Sequence, residues 1–227
     1  LRCRGAGLVF SVENGESVED VRAHHNLLAD NLGSGIFFSR WGDGPRRRLR
    51  VFANTVVRNG YGPPSPGQAF FWLTGGIFLY STNLEDVDLR NNLVSDNRGF
   101  QIGYSRHYVE LGEPEAVMAA RRIALDYNLV DDRNALTYPI AVGWPPNDLT
   151  TVWAFAGAHA VVGRALFVDA SGMDYRPAKG SPAIDSGDPR PEYNDADGSR
   201  GDIGAFAAGA PADLWWTRDF PPRLELE

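Results

Sequence analysis

The fold is decided by one eight-residue stretch, Val87-Asp-Leu-Arg-Asn-Asn-Leu-Val94, which the chain carries in four versions. Each version reads apolar, polar, apolar, two variable residues, Asn, one variable residue, apolar. Period-two alternation over the first three positions predicts a short half-buried strand, and the Asn falls where the chain should bend into a second strand. A repeat of this kind predicts a solenoid of stacked coils. The other three versions are Val21-Arg-Ala-His-His-Asn-Leu-Leu28, Leu49-Arg-Val-Phe-Ala-Asn-Thr-Val56 and Ile123-Ala-Leu-Asp-Tyr-Asn-Leu-Val130.

Four repeat asparagines, spaced 28, 38 and 36 residues apart, mark these coils. Such unequal spacing is typical of coils with constant strands and variable loops. Equivalent residues of stacked strands lie about 4.8 Å apart, so we expect the four side chains to form a hydrogen-bonded ladder. The ladder should be structural, because an interior amide without partners costs about 1–3 kcal/mol. The four are Asn26, Asn54, Asn92 and Asn128.

A second motif follows the repeat asparagine in three coils. An insertion rich in Pro and Gly, from Tyr61 to about Gly75, delays its second copy. With the isoleucine of each copy inward, alternation predicts Phe37, Phe78 and Gln101 on the outer face of one sheet. The three copies are Gly35-Ile36-Phe-Phe38, Gly76-Ile77-Phe-Leu79 and Phe100-Gln-Ile102.

The Asn-marked coils resemble the parallel β-helix repeats of pectate-lyase-like proteins, over about residues 8–207. The end of the chain, with Gly180-Ser-Pro-Ala-Ile-Asp185 and Asp197-Gly-Ser-Arg-Gly-Asp-Ile-Gly-Ala-Phe206, resembles the final coil of many secreted bacterial β-helix proteins. The resemblance implies an all-β, right-handed parallel β-helix and a secreted or cell-surface location. We expect coils over residues 1–186 and a capping segment over residues 187–227.

Net charge, apolar runs and the numbers of cysteine and lysine residues exclude several classes of protein or make them less favoured. The net charge of −7 argues against a nucleic-acid partner, and no apolar run approaches 18 residues, so we expect no membrane insertion. The single cysteine, Cys3, excludes an internal disulfide and a cysteine-based zinc cluster. Lys179 is the only lysine, which makes a lysine-base lyase mechanism doubtful.

We expect the exposed strand edges at the two ends of the solenoid to be covered in different ways. Strand-like residues 7–10 begin almost at once, so we expect earlier coils of a parent protein, or an oligomer contact, to cover the open N-terminal edge. At the other end, Trp215, Trp216 and Phe220 could close the last coil. Between the coils, Glu113 to Arg122 begins with proline and acids and ends with two arginines, which predicts one short loop helix.

Loop residues beside the second motif are the candidate binding site, because the resemblance implies a substrate lying along one sheet between long loops. Rings stack on sugar faces, and arginine pairs with carboxylates, so these residues suit an acidic polysaccharide. The alternative is that neighbouring loops cover the aromatics and water solvates the charges. The candidate substrate-binding residues are Phe37, Trp41, Asp43, Phe78, Tyr80 and Tyr108.

Catalytic residues are only weakly indicated. Asp30 and Asp96 occupy equivalent turn positions and could form a glycosidase pair, although aspartate is also common at turns for conformational reasons. Arg40, Arg106 and His107 are further candidates, and no complete catalytic signature is present. The adjacent His24 and His25 should point to opposite faces of a strand, where they could not serve one metal ion.

A calcium site is possible at the end of the chain. Asp195, Asp197 and Asp202 surround a glycine with calcium-loop spacing, but the distal Glu is missing, and the alternative is a turn that ties down the terminal loop. No other cofactor is expected. The sequence therefore predicts a secreted protein that binds, or binds and cleaves, an acidic polysaccharide, with a non-catalytic surface, adhesion or structural module as the alternative.

Overall fold

A computed structural model of the chain describes residues 3, 5–12, 15–42, 44–61, 75–131, 138–143, 150–151 and 156–211. This part of the chain is all-β, with mostly parallel strands in three stacked sheets and two short α-helices. None of its helices is long and apolar enough to span a membrane. The arrangement is compatible with a β-helix-like solenoid.

Each sheet collects one short strand, or a pair of strands, from successive coils. Sheet 1 contains β1 (Leu8–Phe10), β5 (Ile36–Phe38), β8 (Ile77–Leu79), β11 (Phe100–Ser105), β14 (Tyr138–Gly143) and the antiparallel β15 (Thr150–Thr151). Sheet 2 contains β2 (Val18–Glu19), β3 (Arg22–His24), β6 (Arg46–Phe52), β9 (Leu84–Arg90) and β12 (Ile123–Asp126). Sheet 3 contains β4 (Leu27–Ala29), β7 (Thr55–Val57), β10 (Leu93–Ser95), β13 (Leu129–Val130) and β16 (Val161–Val162).

The four repeat segments form the strand pairs of sheets 2 and 3, as predicted. Their apolar positions stack in register: Leu49 pairs with Val87 and Val87 with Ile123, while Val56 pairs with Val94. These side chains are buried and form one core together with the inward residues of sheet 1. Stacking therefore buries a continuous apolar interior that a single coil could not supply.

The predicted ladder of repeat asparagines is present. In each step the Oδ1 atom of one Asn accepts hydrogen bonds from the backbone N–H and the Nδ2 of the Asn one coil earlier. These bonds measure 2.9 and 3.2 Å between Asn54 and Asn92, and 2.9 and 3.0 Å between Asn92 and Asn128. Asn26 is exposed at the first step, whereas the other three are buried.

A second ladder runs parallel to the first and was not predicted. It lies five residues further along each coil and joins Asn31, Asn59 and Asn97 by the same pair of bonds, 2.8–3.1 Å long. Its last member is Gln101, whose Oε1 accepts from the N–H and the Nδ2 of Asn97. The two ladders thus hold both ends of the sheet 3 strands.

Each coil turns at residues in the left-handed backbone region. Three positions recur in the coils of Asn26, Asn54 and Asn92: six residues before, one residue before and four residues after the repeat Asn. In the coil of Asn54 they are Arg48, Ala53 and Arg58, with φ of 52°, 49° and 55°. Side-chain type varies widely at these positions, so the residues adopt this conformation because the stacked coils require it.

Two helices connect β11 to β12. The predicted loop helix is α2 (Pro114–Ala120), which buries Met118 against the core. A shorter helix, α1 (His107–Glu110), precedes it. Residues 106–122 therefore form a connection on the side of the coils where β5, β8 and β11 end.

The chain after β16 packs along the outer face of sheet 3. β17 (Phe167–Asp169) and β18 (Asp174–Pro177) form an antiparallel hairpin. Ala205 N donates to Thr55 Oγ1 at 2.9 Å, and Asp188 N donates to Asn91 Oδ1 at 2.8 Å. Trp215, Trp216 and Phe220, expected to close the last coil, lie outside the described residues. Buried apolar residues on both sides of this contact are Val57, Leu93, Leu129, Ala165, Tyr175, Ala183, Ile203 and Phe206.

Candidate functional site

The outer aromatic residues of sheet 1 are buried, which corrects the expectation that they are accessible. Phe37 is 1% exposed and Phe78 is 0% exposed. Their ring centroids are 5.8 Å apart, and Phe100 packs 5.1 Å from Phe78. Alternation does place these rings outside the main core, but they cover one another, and Tyr80 stacks on Phe37. In this structure a ligand cannot reach Phe37 or Phe78.

Gln101 is also buried, because its amide belongs to the second ladder. The residue in register with Phe78 is Gly103. A Cβ atom on Gly103 would lie 2.6 Å from the ring of Phe100, so this ring occupies the space beside the glycine. The aromatic row therefore continues through Phe100 and not through Gln101.

The loops that follow β5, β8 and β11 bring five predicted site residues into one region, which we call the basic cluster: Arg40, Trp41, Tyr80, Arg106 and His107. Parallel strands of one sheet end at the same edge, which explains this convergence. A nitrogen of the Arg40 guanidinium contacts Nε2 of His107, and the His107 and Tyr80 ring centroids are 6.2 Å apart. Three successive coils thus contribute to the cluster.

His107 bridges a cation and a carboxylate. Its Nδ1 lies 2.7 Å from Oε2 of Glu110, on the opposite side of the ring from Arg40. Arginine can only donate a hydrogen bond and a carboxylate can only accept one, so neutral His107 carries its proton on Nδ1. The hydrogen bond from His107 holds the pKa of Glu110 below its usual value. Both ring nitrogens are therefore engaged.

A buried arginine positions the loop that carries Arg40 and Trp41. Arg46 is 0% exposed, and its guanidinium donates to the carbonyls of Phe10, Gly44 and Trp41 at 3.3, 2.8 and 2.7 Å. Burial lowers the pKa of Arg46. Trp41 itself stays 50% exposed. The burial of Arg46 was not predicted, because three consecutive arginines are typical of a solvated surface.

Tyr108 is not part of an accessible site. It is 0% exposed, and its hydroxyl donates to the carbonyl of Ser81 at 2.6 Å. Burial raises the pKa of this hydroxyl. The first turn of α1 directs the side chain into the core, where it packs edge-on against Tyr104. Asp43, the remaining substrate-binding candidate, lies outside the described residues.

Asp30 and Asp96 are separated by a cation. Arg58 occupies the same turn position in the intervening coil and pairs with Asp30 at 2.6 Å. All three have φ between 54° and 56°, so they are turn residues in the left-handed region. The arrangement matches the conformational alternative.

The expectation for His24 and His25 is wrong. His25 has φ of 53°, so the strand has already turned at this residue. The two Nδ1 atoms are therefore only 2.9 Å apart, on the same side of the chain. Both side chains are exposed.

The three aspartates of the calcium candidate bind backbone amides and a serine hydroxyl. Asp195 accepts from the N–H of Asp202 at 3.2 Å, Asp197 accepts from Ser199, and Asp202 accepts from the N–H of Asp185 at 2.8 Å. Burial, followed by the charge of Asp202, raises the pKa of Asp195 to about 6. Within the described ranges no group of three or more His, Cys, Asp or Glu side chains could hold a metal ion.

A cavity of about 300 Å³ lies beneath α2, beside β12. Its lining includes Tyr104 and Met118 and carries one charged residue, Glu115. A single carboxylate does not suit an acidic ligand. The basic cluster is therefore the better candidate for the predicted sugar chemistry.

Comparisons of the chain with protein families, with curated proteins and with solved structures find no match in any of the three. Function is therefore inferred from the chemistry of the basic cluster.

Proposed function

We propose that the chain is a right-handed parallel β-helix of the pectate-lyase-like kind and that its basic cluster binds an acidic polysaccharide. The convergence of Arg40, Tyr80 and His107 from three successive coils carries the proposal. A secreted or cell-surface location belongs to the same proposal, because it would place the protein beside such polymers.

The charge of the cluster supports an anionic ligand. Two exposed arginines, Arg40 and Arg106, lie together in a chain whose net charge is −7. Glu110 offsets part of this charge through His107. Guanidinium groups bind carboxylates through paired hydrogen bonds, which suits the uronate groups of acidic polysaccharides.

Aromatic surface next to these charges supports a sugar ligand. Trp41 exposes half of its surface and is held by Arg46 through its backbone carbonyl. Tyr80 presents a partly exposed ring beside His107. Exposed aromatic rings can stack on the C–H face of a sugar.

The geometry favours binding over cleavage. Both nitrogens of His107 are engaged, so it is not poised as a general base. Asp30 and Asp96 are interrupted by Arg58, so they do not form a carboxylate pair with a water between them. We therefore propose a non-catalytic binding surface and treat cleavage as the competing result.

Affinity electrophoresis tests this proposal. The chain is run through native gels containing polygalacturonate, alginate, chondroitin sulfate or neutral xylan. We expect retardation in the acidic polymers only, reduced by salt, because surface ion pairs are screened. Combined Arg40→Gln and Arg106→Gln should weaken the apparent affinity at least about tenfold, which corresponds to about 1.4 kcal/mol.

Arg98→Gln is the matched control, because Arg98 is an exposed arginine at a different turn. It removes one positive charge and should leave retardation nearly unchanged. Equal retardation in xylan, or an undiminished effect in the double variant, would show that the basic cluster is not the binding surface. Release of reducing ends or of unsaturated products from any polymer would replace the binding proposal with an enzymatic one.

A further inference from the structure

His24 and His25 form an exposed imidazole pair at the corner between sheets 2 and 3, in the first coil. Their Nδ1 atoms are 2.9 Å apart. Two features of the backbone bring them together: His24 ends β3, and His25 takes a left-handed conformation. The basic cluster lies at the end of the sheet 1 strands, so the pair is not part of it.

Aromatic residues pack against the two rings. His24 stacks on Phe52, its register partner in the next coil, with ring centroids 4.7 Å apart and an interplanar angle of 12°. The edge of His25 faces the same ring at 6.3 Å. Tyr193 supports Phe52 from the C-terminal segment at 5.9 Å. The imidazoles therefore lie on a scaffold formed by a neighbouring coil and the covering segment.

We propose that His24 and His25 together bind a divalent transition-metal ion, Cu²⁺ or Ni²⁺, through their Nδ1 atoms. Metal–imidazole bonds are about 2.0–2.1 Å long, so nitrogens 2.9 Å apart subtend an angle of about 90° at the metal. This is the angle between neighbouring ligands in the square-planar and octahedral geometries that Cu²⁺ and Ni²⁺ adopt. A tetrahedral zinc site would need nitrogens about 3.3 Å apart.

The position of the pair at the surface leaves room for a bound ion. Rotation of the two rings toward one point replaces the hydrogen bond between them with two metal–nitrogen bonds. Water fills the remaining coordination positions, so the site is open to an external ligand.

Isothermal titration of the tag-free chain with NiCl₂ and with CuCl₂, in a non-coordinating buffer, tests this site. The titrations use a Cys3→Ser background, because Cys3 is exposed and its thiol also binds these ions. We expect one equivalent of each ion to bind. His24→Gln and His25→Asn should each weaken binding at least tenfold; asparagine is chosen at position 25 because it tolerates a positive φ. His159→Asn, at another exposed histidine, should change nothing.

Paramagnetic broadening of amide NMR signals by substoichiometric Ni²⁺ or Cu²⁺ gives a readout that does not depend on the variants. Broadening confined to residues around positions 24, 25 and 52 supports the site. Phe52→Leu should weaken binding less than either histidine variant, because it frees the rings but keeps both ligands. Absence of saturable binding, or binding undiminished in both histidine variants, overturns the proposal. Tighter binding of Zn²⁺ than of Ni²⁺ and Cu²⁺ at this pair overturns its geometric basis.

Discussion

Asn92 shows why asparagine recurs at the bend of each coil. Its Oδ1 accepts two hydrogen bonds from Asn54, and its Nδ2 donates to Asn128 and to the carbonyl of Val51. One short side chain must accept from the coil before and donate to the coil after. Aspartate lacks the donors, and an apolar residue lacks both functions. The ladder therefore propagates in one direction along the stack.

Replacing Asn92 with Ala should destabilise the chain strongly. The change removes four hydrogen bonds: two from Asn54 to Oδ1, and those from Nδ2 to the Val51 carbonyl and to Oδ1 of Asn128. The buried N–H of Asn54 and the Val51 carbonyl lose this partner, while Oδ1 of Asn128 still accepts from the backbone N–H of residue 92. Because each buried unsatisfied group costs about 1–3 kcal/mol, we expect a loss of about 3–5 kcal/mol in the free energy of unfolding. Urea denaturation followed by circular dichroism measures it. Asn26→Ala, at the exposed end of the ladder, should cost about 1 kcal/mol; equal losses would contradict a role for burial.

The first ladder could be predicted from sequence, and the second was missed. Asn31, Asn59 and Asn97 repeat with the same spacing as the first three repeat asparagines, so the signal was present. The pattern is interrupted in the fourth coil, where Arg133 occupies the equivalent position in the sequence. The side chain that completes the ladder, Gln101, comes from a different strand. Such a substitution can be recognised only in three dimensions.

At the scale of elements, glycines before the sheet 1 strands make room for the second ladder. A Cβ atom on Gly7, Gly35 or Gly76 would lie 2.6–2.8 Å from Nδ2 of the next ladder asparagine along the chain, which is Asn31, Asn59 or Asn97 respectively. These are steric requirements, because none of the three glycines has a positive φ. The strands β1, β5 and β8 thus begin where the backbone passes directly over an amide.

Gly35→Ala should disrupt this approach. The added methyl would lie 2.3 Å from Cγ1 of Val56 and 2.8 Å from Nδ2 of Asn59, and both neighbours are buried. Overpacking of this kind costs about 1–3 kcal/mol, and a displaced ladder bond adds to it. The matched control is Gly5→Ala, where no atom lies within 4 Å of the added methyl. Thermal unfolding should separate the two variants, and similar melting temperatures would refute the steric argument.

The outer face of sheet 2 stacks opposite charges from coil to coil. Arg47 lies between Glu19 and Glu85, at 3.9 and 3.1 Å. In the adjacent row, Arg48 pairs with Asp20 at 2.6 Å. Opposite charges stacked in this way add to the attraction between neighbouring coils.

Arg47→Glu should place three acidic side chains in one row. We expect a loss of about 1 kcal/mol at low salt, kept modest because the residue is 43% exposed. High salt should recover most of this loss, because mobile ions screen exposed charges. Arg47→Gln is the control, since it removes the attraction without adding repulsion. A loss that does not change with salt would point to packing instead of charge.

The elements could be predicted where alternation along the sequence determines which way a side chain points. They could not be predicted where contacts with residues distant in the sequence determine its surroundings. Alternation correctly separated the inward isoleucines from Phe37 and Phe78. It could not show that the outward rings are covered, because the covering atoms belong to other coils and to Tyr80. Likewise, the basic cluster could be expected because parallel strands of one sheet end at the same edge. The burial of Arg46 and the helix α1 could be recognised only in the structure.

At the scale of the whole molecule, the two ends of the stack differ. The chain after β16 returns along the outer face of sheet 3. There Asp188 forms an ion pair with Arg90 and donates its backbone N–H to Asn91, the residue before the repeat Asn92. Among the described strands, β1, β2 and β4 lie at the ends of their sheets, all in the first coil. That further coils or an oligomer contact cover this edge stays a prediction.

Two carboxylates in the C-terminal segment give the whole fold an opposing dependence on pH. Burial alone would raise the pKa of Asp188, but hydrogen bonds from Arg190 and Arg90 outweigh it and lower the pKa to about 2. Its contribution is present above the unfolded-state pKa of about 3.8 and disappears as the pH falls through 2. Asp195, with its pKa raised to about 6, contributes stability below about 3.8 that is lost as the pH rises through 6.

Asp188 and Asp195 should therefore shift the melting temperature in opposite directions on the two sides of pH 4. Asp188, which is nearly buried, should contribute about 2 kcal/mol to the rise between pH 2 and pH 4, and the more exposed Asp195 about 1 kcal/mol to the fall between pH 4 and pH 6. For a chain of this size, 1 kcal/mol corresponds to about 2–4 °C. Scanning calorimetry of Asp188→Asn should show a smaller rise in melting temperature between pH 2 and pH 4. Asp195→Asn should lose less stability between pH 4 and pH 6 and should have a higher melting temperature at pH 7. An unchanged pH dependence above pH 4 in Asp195→Asn would mean that the repulsion among Asp195, Asp197 and Asp202 does not govern stability.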